Sequence, residues 1–170
     1  MLERLKYLFG DRLIIPSTSN EIPGKGYMVY ILVHNGIPIV LGHGQKNRAK
    51  VIFDDENIIT TSHLKALFVR LYNLYGKGEF ERYLVICKNK DDAKEVERNM
   101  HQEIGGNTRK IPDEIKKKLF LGLAPNSTEY LLIEIALRSS FDGLSDLKKW
   151  RSDGIVNDNV WFEIAKRLKL

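Results

Sequence analysis

Apolar residues along the chain fall into two kinds of run. The first kind is short and dense. Tyr27–Val33 is almost wholly apolar, and Ile37–Leu41 follows after the polar triplet His34-Asn35-Gly36. Asn-Gly between two such runs is the strongest short-range hairpin signal, because both residues tolerate the positive φ that a tight turn needs. Phe80, Tyr83, Val85 and Cys87 mark a third strand. The second kind has helical spacing. Leu2, Leu5, Leu8 and Phe9 share one face of a short N-terminal helix that Gly10 ends. Ile14 and Ile15 suit a short extended piece before Pro16, and the residues from Ser17 to Gly26 read as a loop. The stretch from Lys46 to Phe53 reads as a helix and Asp54–Asn57 as a polar break.

Leu64, Leu67, Phe68, Leu71 and Leu74 give the next helix a buried face, with Thr61 or Ser62 as cap and Gly76 as stop. His63, Lys65 and Arg70 lie largely off that face. Asp91 and Asp92 open a further helix, where negative charge suits the positive end of the helix dipole. Its buried stripe is Ala93, Val96, Met100 and Ile104, with Glu97 at the margin, and Gly105-Gly106-Asn107 ends it. The remainder reads as helical. Asp113–Leu119, a helix from Ser127 or Thr128 through Leu137 that is apolar nearly all round, Leu144–Arg151 and Asn157–Leu168 follow in turn. The expected fold is α+β: a small, mainly antiparallel three-stranded sheet flanked by helices, with a helical C-terminal extension. The expected segments are 1–26, an N-terminal helix and loop; 27–107, a core; and 108–170, the extension.

Composition narrows the function only coarsely. The 170 residues carry a net charge of +5, which suits a polyanionic partner without selecting one. One cysteine, Cys87, excludes an internal disulfide and a cysteine-based zinc knuckle. No apolar stretch approaches the ~18 residues of a membrane span, and charges interrupt the N-terminal apolar run, so neither a membrane segment nor a signal peptide is expected. These readings place the protein in the cytoplasm.

Chemistry concentrates after the hairpin. Gly42-His43-Gly44 leads into Lys46, Asn47 and Arg48, a glycine-bearing turn that delivers cations at the sheet's edge. That pattern suits a phosphate better than a packed core. Tyr30, its spacing to Val40, and Gly42-His43-Gly44 running into Asn47-Arg48 resemble the GIY-YIG nuclease superfamily, in the variant whose second motif reads roughly YVGKGxGNR. The downstream helix, strand and Glu97-bearing helix ending near Asn107 continue the resemblance in order, over about half of the chain.

The resemblance implies a metal-dependent DNA endonuclease of the restriction or mobile-element kind. It assigns Glu97 to a single divalent ion, Mg²⁺ or Mn²⁺, and Arg48 to the scissile phosphate. Tyr30 would take a proton from the attacking water. Lys46, His63, Lys65, Arg70 and Asn107 would contact DNA or brace the site. The helices after Asn107 would supply target recognition or a homodimer contact. Lys148, Lys149 and Arg151 would lie near phosphates in a helix-turn-helix-like element, against the plainer reading of a helical cap.

Three positions depart from the pattern. Val40 stands where the family has Tyr, His43 where it has Lys, and Ile52 where it often has His. His43 can replace the Lys as a donor or act as the base itself, since an imidazole's unperturbed pKa of ~6.5 suits that role better than a phenol's ~10. Two further readings stand beside the nuclease: a nucleic-acid-binding module that keeps the fold without catalysis, and a basic protein-interaction domain.

Overall fold

A computed structural model describes residues 1–53, 63–105, 111–138, 148–149, 151–154 and 156–168, with the backbone alone at 51, 63–65, 138 and 167–168. These residues form two compact units. Unit 1 comprises Met1–Asp54 and Gly76–Lys110, and unit 2 comprises Asp55–Tyr75 and Ile111–Leu170.

Unit 1 is a four-stranded antiparallel sheet flanked by helices. The strands are β1 (Leu13–Ile14), β2 (Tyr27–His34), β3 (Ile37–Gly44) and β4 (Phe80–Cys87), in the order β1-β4-β2-β3. Three strands were expected, and the fourth is the two-residue β1. It pairs Leu13 with Val85 and Ile14 with Leu84. A strand this short has no periodicity to read, so only its partner reveals it. Arg12 holds it in place. Its Nε donates to the Ile86 carbonyl at 2.8 Å, and its Nη2 meets Asp92 Oδ2 at 2.7 Å.

β2 lies between β4 and β3 and is buried on both faces, which is why it reads as a continuous apolar run rather than an alternation. The β2–β3 turn has Asn35 and Gly36 at φ +49° and +74°, the pair of positive values that a two-residue hairpin needs. The register shifts between Leu32 and Val33, where Ile39 is the extra residue of a bulge. Pro38 is tolerated because β3 is an edge strand.

Val29, Ile31, Val33, Tyr83 and Val85 face one way. They pack with Leu5 of α1 (Leu2–Phe9) and with Ala93, Val96 and Met100 of the next long helix of this unit. The opposite face carries Met28, Tyr30, Leu32 and Arg82. It meets the short helix α2 (Lys46–Ala49) and the 3-10 turn Lys50–Phe53, whose Ala49 and Ile52 are fully buried. Arg82 Nε donates to the Ile52 carbonyl at 2.9 Å and fixes that turn.

Unit 2 gathers α3 (His63–Tyr75) with the C-terminal helices. The helix carrying Ala93, Val96 and Met100 in unit 1 is α4 (Lys90–Glu103), and unit 2 continues with α5 (Asp113–Phe120), α6 (Thr128–Arg138) and α7 (Asp158–Leu168). Leu131, Leu132, Ile133, Ile135 and Ala136 of α6 are buried, which accounts for its nearly uniform apolar sequence. Arg70 of α3 donates from Nε to the Leu119 carbonyl at 2.9 Å. No helix among the described residues is long and apolar enough to cross a membrane.

Candidate active site

α4 starts cleanly. The Asn89 side chain accepts from the Asp91 and Asp92 amides at 3.0 and 2.9 Å, so the helix has an N-cap that satisfies two of its unpaired donors. Helical phase then sets the rest. With Ala93, Val96 and Met100 against the sheet, Glu97 falls beside them at the β3 side of the helix, and its carboxylate meets His43 of β3.

Glu97 is only 22 % exposed. Burial alone would raise its pKa, but the two histidines beside it, His101 and His43, outweigh burial and hold it below the usual carboxylate range. An ionised carboxylate only accepts. The ring atom against Glu97 Oε2 is His43 Nδ1, so Nδ1 carries a proton, and Nε2 is the ring nitrogen turned away from the carboxylate. His101 Nε2 lies 3.6 Å from the other oxygen, one helical turn beyond Glu97, and its Nδ1 is buried without a partner. A depression of about 370 Å³ opens beside this cluster, lined by Lys94, Glu97, Arg98, His101 and Gln102.

Tyr30 leaves the opposite face of the sheet from His43, because the register pairs Tyr30 with Gly42, one residue before His43. The phenol lies over Gly42, where a Cβ would sit 2.5 Å from its hydroxyl oxygen. Arg48 lies in the same way over Gly44, whose Cβ would sit 2.7 Å from that of Arg48. The two glycines therefore belong to strand β3 and act as clearance for two side chains. The sequence reading had placed them in a flexible turn after Leu41.

Arg48 is exposed and hydrogen-bonds Tyr30, which is only 1 % exposed. Burial raises the phenol's pKa and the Glu97 charge adds to that. The nearby Arg48 opposes both, and the net shift is upward. Glu97 is thus within electrostatic reach of Tyr30, while Tyr30 and Arg48 line neither the depression beside Glu97 nor the second cavity described below.

The remaining predicted residues are dispersed. Lys46 lies in α2, two residues before Arg48. Arg70 belongs to α3 and is committed to carbonyls of unit 2. His63 and Lys65 fall in the backbone of α3, with side chains outside the described residues, and Asn107 lies outside them altogether. Lys148, Lys149 and Arg151 are described in part, and Arg151 pairs with Asp158 at 3.1 Å and stacks over Trp161. Val40 and Ile52 are buried apolar residues.

Sequence reasoning missed His101. Its spacing of four from Glu97 was visible, but such spacing gains meaning only once Glu97 is known to be tucked against the sheet.

No group of three or more histidine, cysteine or acidic side chains among the described residues is arranged to hold a metal. Glu97 suits a sparser arrangement. It is ionised, partly exposed and beside an open depression, and its two histidine contacts leave lone pairs free. Mg²⁺, which keeps several waters and accepts few protein ligands, fits such a carboxylate. No protein-family model, no curated protein and no solved structure matches the chain.

Proposed function

We propose that the protein is a metal-dependent phosphodiester hydrolase acting on DNA, a nuclease of the kind its sequence resembles. One observation carries the reading. Side chains from positions 30, 43, 48 and 97 gather at the end of β3: His43 meets Glu97 on one face, and Tyr30 and Arg48 pack over Gly42 and Gly44 on the other.

In this reading Arg48, the exposed member, takes the scissile phosphate. A guanidinium offers a planar fork to two phosphate oxygens and stays charged. Tyr30 is too buried to meet a water and holds Arg48 in place. His43 is the general base. Glu97 keeps its Nδ1 protonated, so Nε2 can accept the proton of the attacking water. The water oxygen bonds to phosphorus, the bond from phosphorus to the leaving ester oxygen breaks, and that oxygen is protonated from solvent. Glu97 would hold Mg²⁺ or Mn²⁺, which would supply positive charge to the reacting phosphate. His43 and Arg48 project from opposite faces, so both can serve one phosphate only around the exposed edge of β3. Cutting both strands would take a homodimer or two binding events.

A second reading keeps DNA binding without catalysis. It is favoured by Val40 and Ile52, which are 2 % and 0 % exposed and so serve the core where the resemblance expects polar groups. Plasmid nicking with Mg²⁺ separates the two. Cleavage by the wild type, lost in Glu97→Ala and Arg48→Ala, is the expected result. Absence of wild-type cleavage, with salt-sensitive DNA binding retained, selects the binding module.

A further inference from the structure

A cavity of about 260 Å³ lies where the loop entering β2 meets the turn leaving β3, and it is lined by Gly24, Lys25, Gly26, Gln45, Lys46 and Asn47. The pairing of Met28 with Gly44 brings these two pieces of chain side by side. We infer that this cavity is a second phosphate subsite, holding a phosphodiester next to the one Arg48 takes; it rests on the strand-binding reading above for the identity of the ligand.

Charge points to an anion. Among the described residues the lining holds two lysines and no acid. Among the described residues neither Lys25 nor Lys46 has an ion-pair or hydrogen-bond partner. Lys6, Lys94 and Lys116, by contrast, each pair with an acid three residues away.

Shape points the same way. A Cβ at Gly24 would meet nothing within 4 Å and its φ is not positive, so neither packing nor backbone conformation requires that glycine, whereas Gly26 has φ +96° and is required by its backbone. Glycines there leave the backbone amides open to a ligand's close approach. The side-chain amides of Gln45 and Asn47 add donors suited to phosphate oxygens.

Helix geometry makes the site distinct from that of Arg48. Lys46 and Arg48 are two apart in α2, and residues at that spacing do not share a face. Arg48 is folded back over Gly44 toward Tyr30, whereas Lys46 lines the cavity. One phosphate cannot satisfy both cations, but a nucleic-acid strand presents a phosphate at every nucleotide.

The test is a chemical-shift titration of the full-length ¹⁵N-labelled chain, without divalent ions. The probes are the trinucleotide dTpTpT, dTMP and inorganic phosphate. With dTpTpT the amides of residues 24–26 and 45–47 are expected to shift saturably in the wild type and in Arg48→Ala, and to stay still in Lys25→Ala/Lys46→Ala. The same double variant should lower the slope of log K against log salt for DNA binding by about one. Still amides in the wild type, with shifts confined to the neighbourhood of Arg48, overturn the subsite. So does binding of dTMP or inorganic phosphate at least as tight as that of dTpTpT, since that marks a monoester pocket. Nicking is scored separately. Saturable shifts without cleavage sink the hydrolase reading alone, and cleavage with still amides sinks the subsite alone.

Discussion

Gly42→Ala is the most direct test of the site's construction. The added Cβ would lie 2.5 Å from the Tyr30 hydroxyl oxygen, 2.7 Å from Cζ and 3.1 Å from Cε2. Real Cβ atoms do not approach that closely, so ring or strand must move. Neither moves freely, because Tyr30 is 1 % exposed and sits on the central strand β2. Overpacking a well-filled site costs about 1–3 kcal/mol. At roughly 2–4 °C per kcal/mol for a chain of this size, the melting temperature read by circular dichroism should fall by about 2–12 °C. Gly24→Ala is the control. Its Cβ meets nothing and its φ is not positive, so stability should hold or rise by about 0.4–1 kcal/mol through the unfolded state. Tyr30→Phe removes the atom at 2.5 Å but leaves Cζ, so adding it to Gly42→Ala should recover part of the loss, an interaction energy visible in a double-mutant cycle. A Gly42→Ala melting curve superimposable on the wild type would refute the claim that the phenol occupies the space a side chain would need.

Three further outcomes are expected. His43→Ala should slow nicking by about 10²–10⁴-fold, whereas Tyr30→Phe should cost far less; the reverse order in single-turnover rates would return the base to the phenol. Asp92 accepts from the Lys88 amide and from Arg12, and these contacts hold its folded pKa below the ordinary value despite some burial. A depressed carboxylate stabilises the fold above its unfolded pKa of ~3.9 and loses that contribution as pH falls through the folded value. Asp92→Asn should therefore melt lower at pH 7, by about 1 kcal/mol given the partial exposure of the pair, and the gap should close below pH ~3; an equal gap at both pH values would contradict this. Burial raises the Cys87 thiol's pKa, and the residue is 5 % exposed on β4, so iodoacetamide should label it at least about 10³-fold more slowly in buffer than in urea. Comparable rates by mass spectrometry would show that the sheet opens readily.

How much of this was legible in the sequence depended on whether the signal was local. Asn35-Gly36 announces its turn because the φ values required are a property of those two residues. β2 announces itself because a strand covered on both faces has no polar side to show. The helical stripe Ala93, Val96, Met100 is local as well, and it fixes the side of α4 on which Glu97 emerges. β1 was illegible as a paired strand because its partners, Val85 and Leu84, lie about seventy residues away and two residues carry no period. Gly42 and Gly44 were misread for the same reason. A glycine that ends a strand and a glycine that clears space for a distant tyrosine look identical until the register places Tyr30 opposite Gly42.

In the proposed hydrolase the division of labour follows from burial, which sequence cannot supply. Tyr30 and His43 are both plausible bases on paper, and the phenol has the stronger motif. In the fold they differ in one decisive respect. Tyr30 is sealed, and its burial raises an already high pKa, so it would have to shed a proton into a setting that penalises the anion. His43 is partly exposed and already hydrogen-bonded through Nδ1 to an ionised carboxylate, so protonating Nε2 creates a cation beside an anion. In the proposed reading, His43 standing where the resemblance expects lysine is therefore no sign of lost activity in itself. As the proposed base, His43 would move the proton-accepting group from the Tyr30 face of the sheet to the opposite one, and Glu97 would then orient the base as well as set the charge of the site.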